Sequence, residues 1–485
     1  MHPVFNGERQ MKILFINVVN ENKNAELSCS AGMGTLYLAS YLSKYGGYDD
    51  VKVVQCGKID ALTLVLAKFK PDIVGVSSVT QNFNLAQDIC RQVKLTLPGV
   101  PVIVGGVHIS TLPQSLTPDM DIGVIGEGEQ TMLELVQGYE SNGLADAAKG
   151  RISGIVFRDL GNSKIITTPR RDMILPLDRI PFPARHLVAI HPYEGQGHTL
   201  ITSRGCPFSC IFCSPSAMWH TIRYHSPEYV VSEMRQIYDD YRPKYIGIND
   251  DLFAVNKKRL IQINNLMKQE EFYRRVRFSC QGRANLMDNE TARLLKEMNV
   301  TLVCMGLESG NQRTLGYLKC NSVTVEQNKS AIDALADNGI EPVASFIIGS
   351  PNETREEMLQ TLDFIKESRL SYFQIGQLLP YPGTKVWEEC KAKGLVSDDM
   401  DWSTLSYVFG GACRPNVSMS VLPTGELVKI LSLFLRERSR RLRRRNVSIG
   451  LKHPERLFER IGRKIEFLQN KYGKYGRPQT QNEGP

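Results

Sequence analysis

The chain has 485 residues, of which 42% are hydrophobic and 23% charged, with a formal net charge of +8. The length predicts two or three domains rather than one core, and the composition is that of a soluble globular protein. No apolar run reaches the length of a membrane span, and the opening MHPVFNGERQ lacks a signal-peptide core, so a cytoplasmic location is expected. Eleven cysteines in such a chain point to reduced thiols or metal ligands, not to a disulfide framework.

In chain order, the first ten residues read as a tail, because Met11 opens a clean strand. Over 11–148, short β-rich runs alternate with amphipathic stretches. The runs are KILFINV, VKVVQC, DIVGVSS, PVIVGG and DIGVIG, with helical patterns such as GTLYLASYLSKYG between them. Continuous apolar strands separated by helices predict a parallel sheet covered on both faces, with ligands at the carboxyl ends of its strands. Residues 149–198 change character: GIVFRDLGNSKIITTP predicts a hairpin, and LPLDRIPFPARH an extended, proline-rich linker.

A second alternating series fills 199–385, with strands TLITS, KYIGIND, VRFSCQGR, LVCMGLES, EPVASFIIG and YFQIGQLLP. Six such units predict a partial (β/α)6 TIM barrel whose functional residues sit at the strand ends. Residues 386–485 are helical and basic, and their last fifteen residues, from Lys471, read as a frayed tail. The run RERSRRLRRR, from Arg436, reads first as a solvated helix face. An anionic membrane surface or an acidic partner is the alternative. No zinc finger, RNA-binding signature or helix-turn-helix supports specific nucleic-acid binding.

The sharpest motif is RGCPFSCIFCS, which places Cys206, Cys210 and Cys213 in one loop. Three thiolates cannot complete a four-ligand zinc site alone, but they can hold a four-iron, four-sulfur cluster and leave one iron open. Incidental buried cysteines, or zinc with a remote fourth ligand, are the competing readings. Gly205 and Pro207 supply turn chemistry, and TLITS puts the loop at a strand's carboxyl end.

CPFSCIFC resembles the signature of the radical S-adenosylmethionine (SAM) superfamily. The resemblance implies that Cys206, Cys210 and Cys213 ligate a [4Fe-4S] cluster whose open iron chelates SAM, with Phe212 near the adenine. Later strand ends offer Asp250, Asp251, Arg283, Glu308, Ser309 and Gln377. A guanidinium can fork onto the methionine carboxylate, and carboxylates can accept from an ammonium or a ribose. A structural ion pair is the bland alternative for Arg283 or Glu308.

The loops VGVSSVTQN, VGGVHIS and VIGEGEQT resemble the cobalamin-binding domain of class B radical SAM enzymes, which has a Rossmann-like, flavodoxin-like fold. That resemblance implies corrin contacts from Ser77, Ser78, Thr80, Gln81, Gly105, Gly106, His108, Gly126, Glu127 and Gly128, with Thr80 and Gln81 under the lower face. The D-x-H-x-x-G motif of mutase-type cobalamin proteins is absent, so no histidine is expected on cobalt, and His108 reads mainly as a loop hydrogen-bonding residue. A flavodoxin-like sheet without cofactor is the alternative.

The family resemblance implies a cobalamin-dependent radical SAM methyltransferase, methylating an unactivated carbon by way of a 5′-deoxyadenosyl radical and methylcobalamin. An enzyme with the same cofactors but no methyl transfer, such as an oxidative cyclase, is the rival. A non-catalytic cobalamin carrier is a third reading. Expected partners are a small-molecule, lipid or peptide substrate and a low-potential electron donor such as flavodoxin or ferredoxin.

Overall fold

The computed structural model describes residues 10–19, 32–143, 150–159, 161–188, 198–219, 221–405 and 417–452. The tail expected from Lys471 lies outside the described residues, as does all but Gln10 of the expected N-terminal one.

The N-terminal sheet has strands β1 (Ile13–Val18), β2 (Val51–Cys56), β3 (Ile73–Ser77), β4 (Val102–Gly105) and β5 (Ile122–Val124), all parallel. Their spatial order is β2-β1-β3-β4-β5, the flavodoxin-like arrangement in which the chain reverses direction beside β1. The expected hairpin forms as β6 (Ile155–Arg158) and β7 (Ile165–Thr167), and it extends this sheet antiparallel to β5. β1 and β3 bury their residues on both faces, which is why they read as unbroken apolar runs. Helices Met33–Gly46 and Glu129–Asn142 cover one face, while Asp60–Phe69 and Phe83–Thr96 cover the other. The proline-rich segment is not extended throughout as expected: short 3-10 turns form at Leu177–Arg179 and Arg185–Leu187, and Ile174, Leu177, Ile180 and Ala184 join the core of the first face.

The second sheet begins at β8 (His198–Leu200). A short antiparallel pair follows, β9 (Ser203–Arg204) and β10 (Arg223–Tyr224). Five parallel strands then continue the sheet: β11 (Tyr245–Ile248), β12 (Arg277–Gly282), β13 (Val300–Glu308), β14 (Glu341–Ile348) and β15 (Tyr372–Gln377). The order β8-β11-β12-β13-β14-β15 is that of an open six-stranded barrel. Its outer helices start on side-chain caps at Ser226, Asn256, Asp288, Thr324 and Thr354, each accepting a backbone N–H three residues on.

The C-terminal helix Thr424–Lys452 packs along β15 and the helix Arg355–Glu367. Part of its basic run turns inward. Arg441 donates to the carbonyls of Ile365, Lys366, Ser368 and Leu370, at the end of Arg355–Glu367, and Arg445 pairs with Glu341. The two sheets share one apolar cluster, in which Phe83 and Ile109 of the first meet Ile211, Trp387 and Trp402.

Candidate cofactor site between the two sheets

A cavity of about 330 Å³ lies between the carboxyl ends of the N-terminal strands and the start of the barrel. Ser77, Gly105, Gly106, Gly126, Glu127 and Gly128 line it from one side, and Ser203, Arg204, Trp219, Asn249 and Asp251 from the other. A Cβ built on Gly34, Gly105 or Gly126 would meet nothing within 4 Å. These glycines keep a broad floor at backbone level, which suits a flat ligand such as a corrin ring. Gly106 has another role: with φ +105° its Cβ would stand 2.2 Å from the Ser78 carbonyl oxygen, so it permits two loops to touch.

Several residues expected to meet the corrin lie outside this cavity. His108 is fully buried, its ring 3.8 Å from Phe83 and 4.5 Å from Trp402, with Nδ1 3.2 Å from Thr80 Oγ1. Burial drives its pKa down to about 3. Gln81 donates to the Tyr381 hydroxyl. Thr80, Gln81 and His108 therefore serve the contact with the post-barrel segment and do not line the cavity. Ser78 is buried outside it too. The reason is the turn at Thr80–Asn82, which carries the chain away from the strand end.

Glu127 lines the cavity but its carboxylate is committed. It forms a two-pronged pair with Arg223, accepts from Arg204 and takes the Ile174 backbone N–H. Burial opposes its ionisation, yet the two guanidiniums prevail and hold its pKa below the usual carboxylate value. Arg204 also reaches Glu129 at 2.6 Å and lies over the Tyr37 ring.

The cysteine loop follows at once. Gly205, at φ +93°, could carry no side chain, because a Cβ would stand 2.5 Å from the Thr221 carbonyl oxygen. Cys206, Cys210 and Cys213 are all half-buried, and no disulfide links the described cysteines. Cys206 accepts the Phe208 N–H, while the Cys213 N–H closes a turn on the Cys210 carbonyl. Among the described residues no three side chains converge on one metal ion. A four-iron cluster does not ask them to, since each thiolate binds a different iron. Soft donors on one bent loop, with the Cys206 and Cys210 sulfurs hydrogen-bonded by the protein, fit that group.

Against this loop packs the segment Leu318–Ser322. The Ile211 N–H donates to the Leu318 carbonyl, and Cys320 Sγ to the Ser209 carbonyl. Arg283 stands beside Cys210, with Nη1 3.3 Å from its sulfur. All three guanidinium nitrogens have protein partners, so its fork is not open towards a ligand carboxylate as expected. Glu308 pairs instead with Lys319 at 3.1 Å, both buried, and Lys319 also donates to the Gly306 carbonyl. Glu308 has φ +62°, a strained conformation for a non-glycine residue, beside an irregularity in β13.

Other residues expected to contact a ligand have partners within the protein. Asp250 accepts from the Thr202 N–H and from the hydroxyls of Thr202 and Ser203, pinning the strand ahead of the cysteine loop. Ser309 is fully buried against Thr361. Gln377 donates to the Val417 carbonyl, and Phe212 packs on the apolar cluster between the sheets. Asp251 does face the cavity, and burial followed by the neighbouring Asp250 raises its pKa. The sequence reading missed Gly34, Tyr37, Arg204, Trp219 and Lys319. Only Arg204, directly before Gly205-Cys206, carried a usable signal.

Residues 200–365 match the Radical SAM superfamily and residues 28–136 the B12 binding domain. An uncharacterized methyltransferase of Pyrococcus horikoshii is 33% identical over 410 residues, covering 81% of this chain and 85% of the relative. An anaerobic magnesium-protoporphyrin IX monomethyl ester cyclase of Rubrivivax gelatinosus is 30% identical over 417 residues, covering 80% and 71%. The fold is shared with the radical SAM methyltransferase TsrM of Kitasatospora setae, at TM-score 0.64 and 17% identity over 79% of this chain and 75% of that one. It is shared too with the cobalamin-dependent SAM radical enzyme OxsB, at TM-score 0.69 and 17% identity over 88% and 67%. The chain belongs to the radical SAM superfamily, among its members with an N-terminal B12-binding domain. Its cofactors are a [4Fe-4S] cluster, SAM and cobalamin. No described helix is long and apolar enough to cross a membrane.

Proposed function

We propose that this chain is a radical methyltransferase that transfers a methyl group to an unactivated carbon of a small-molecule substrate. The observation that carries the reading is the single cavity lined both by the glycine loops of the B12-binding sheet and by barrel residues adjoining the cysteine loop. When bound, cluster and SAM supply a hydrogen-abstracting radical, and cobalamin supplies the methyl group. Polar chemistry cannot methylate such a carbon, so both must address one space.

The chain's own residues build that space. Cys206, Cys210 and Cys213 hold the cluster. The buried Glu308–Lys319 pair offers a carboxylate and an ammonium beside the loop, complementary to the zwitterionic methionine end of SAM. Gly34, Gly105 and Gly126 leave room for the corrin, and Tyr37 and Trp219 wall the cavity with aromatic surface. Asp251 is the polar group best placed to meet a substrate hydroxyl or amine. Electrons come from a flavodoxin- or ferredoxin-like donor.

The similarity to an anaerobic cyclase supports a second reading, in which the same cofactors act without methyl transfer. Cell extract incubated anaerobically with the protein, cobalamin, a low-potential reductant and methyl-deuterated SAM separates the two. A product heavier by a labelled methyl group supports methyl transfer. Deoxyadenosine formed with an unlabelled product overturns it.

A further inference from the structure

Arg283 does more than fill space beside the cysteine loop. Its guanidinium carbon lies 3.8 Å from the centroid of the Phe208 ring, between Cys206 and Cys210 in the chain. Nη1 donates to Cys210 Sγ at 3.3 Å, Nη2 to Ser322 Oγ at 2.5 Å, and Nε to Asn285 Oδ1 at 3.1 Å. Ser322 is itself tied to the Lys319 carbonyl. One face stacked, three nitrogens engaged and 5% exposure leave the group no other position. A lysine could reach the sulfur but could not stack and fork at once.

We propose that Arg283 is a positioning residue that raises the reduction potential of the bound cluster, acting through the Cys210 sulfur. Adding an electron to a thiolate-ligated cluster makes it more negative. A fixed cation and an N–H donor on a ligand sulfur stabilise that extra charge, and partial burial keeps water from screening it. A less negative cluster accepts an electron from a weaker reductant, which widens the range of donors that can start the reaction.

This rests on Cys206, Cys210 and Cys213 being the ligands, which the iron content of Cys210→Ala tests on its own. The proposal is tested by electron paramagnetic resonance titration of the full-length, anaerobically reconstituted protein without SAM. Wild type is compared with Arg283→Gln, Arg283→Lys and Ser322→Ala, each checked for iron and sulfide. In Arg283→Gln the ratio of reduced to oxidised cluster at a fixed poise should fall about tenfold, a shift of about 59 mV to more negative potential for one electron. Arg283→Lys should lie between it and wild type, and Ser322→Ala should shift the same way by less. A wild-type midpoint in Arg283→Gln overturns the proposal, and if SAM binding, measured separately by calorimetry, is lost with it, Arg283 is a ligand contact instead. If Arg283→Gln fails to load iron, wild-type midpoints in both other variants overturn it.

Discussion

Arg204 Nη1 lies 2.7 Å from Glu127 Oε1, joining the residue that leads into the cysteine loop to the loop after β5. The pair is buried, and Arg223 and Glu129 extend it into a network across the two sheets. It ties together the two walls of the cavity between the sheets. Breaking one partner of such a network leaves charge buried without compensation, at a cost of about 3–5 kcal/mol. Glu127→Gln should lower the thermal midpoint of the anaerobic protein and reduce the cobalamin it retains, measured by calorimetry and visible absorbance. A wild-type midpoint and full cobalamin would mean the network holds nothing together.

Cys206→Ala, Cys210→Ala and Cys213→Ala should each abolish the brown chromophore and deoxyadenosine formation. Cys280 and Cys304 lie in β12 and β13, and burial pushes the thiol of Cys304 up to about 11. Both sit within sheet strands and not on the cysteine loop. Cys280→Ser and Cys304→Ser should keep the iron. Loss of iron from either, in protein that is still folded by circular dichroism, would refute the ligand assignment.

Gly105 has open space where a side chain would point, and its φ is not positive. Gly105→Leu should therefore fold and keep its cluster while filling the cavity floor. Cobalamin binding should weaken at least a hundredfold by absorbance titration, with iron content unchanged. Undiminished binding would place the corrin elsewhere.

His108 is walled off by Phe83 and Trp402, away from the cavity. The cob(II)alamin spectrum should carry no nitrogen splitting from a protein imidazole, and His108→Gln should leave it unchanged. Splitting that vanished in the variant would make His108 the cobalt ligand.

Two of the three buried histidines among the described residues, His108 and His225, make the fold acid-sensitive. Burial lowers the pKa of His108 to about 3 and that of His225 to about 4, against 6.5 when exposed. Above 6.5 neither is charged in either state, so stability is unaffected. As pH falls below 6.5 the unfolded chain takes up protons that the fold refuses, and stability declines until about pH 4 for His225 and about pH 3 for His108. Each histidine contributes up to about 1.4 kcal/mol per pH unit. The unfolding midpoint in denaturant should fall between pH 7 and 5.5. No change over that interval would show that these histidines are solvated.

The strand ends were legible because local signals mark them. Apolar runs placed both sheets, and the cysteine spacing together with Gly205 marked the three-cysteine loop without reference to the rest of the chain. The glycines at the ends of β4 and β5 suggested a ligand floor, and Gly105 and Gly126 line the cavity between the sheets. Residue type at a strand end proved a weaker guide to role. Asp250, Ser309 and Thr80 have the chemistry to meet a ligand, yet each is consumed by protein neighbours.

By itself the sequence determined two α/β sheets, their order and a three-thiolate loop, because periodicity and turn chemistry are properties of neighbouring residues. Only the tertiary structure decided which polar side chains face the cavity and which spend their charge on one another. Glu127 and Arg204 are 77 residues apart, and Arg283 and Cys210 are 73 apart. Whether a buried carboxylate or guanidinium meets a counter-charge, a sulfur or a ligand depends on distances that no local pattern encodes.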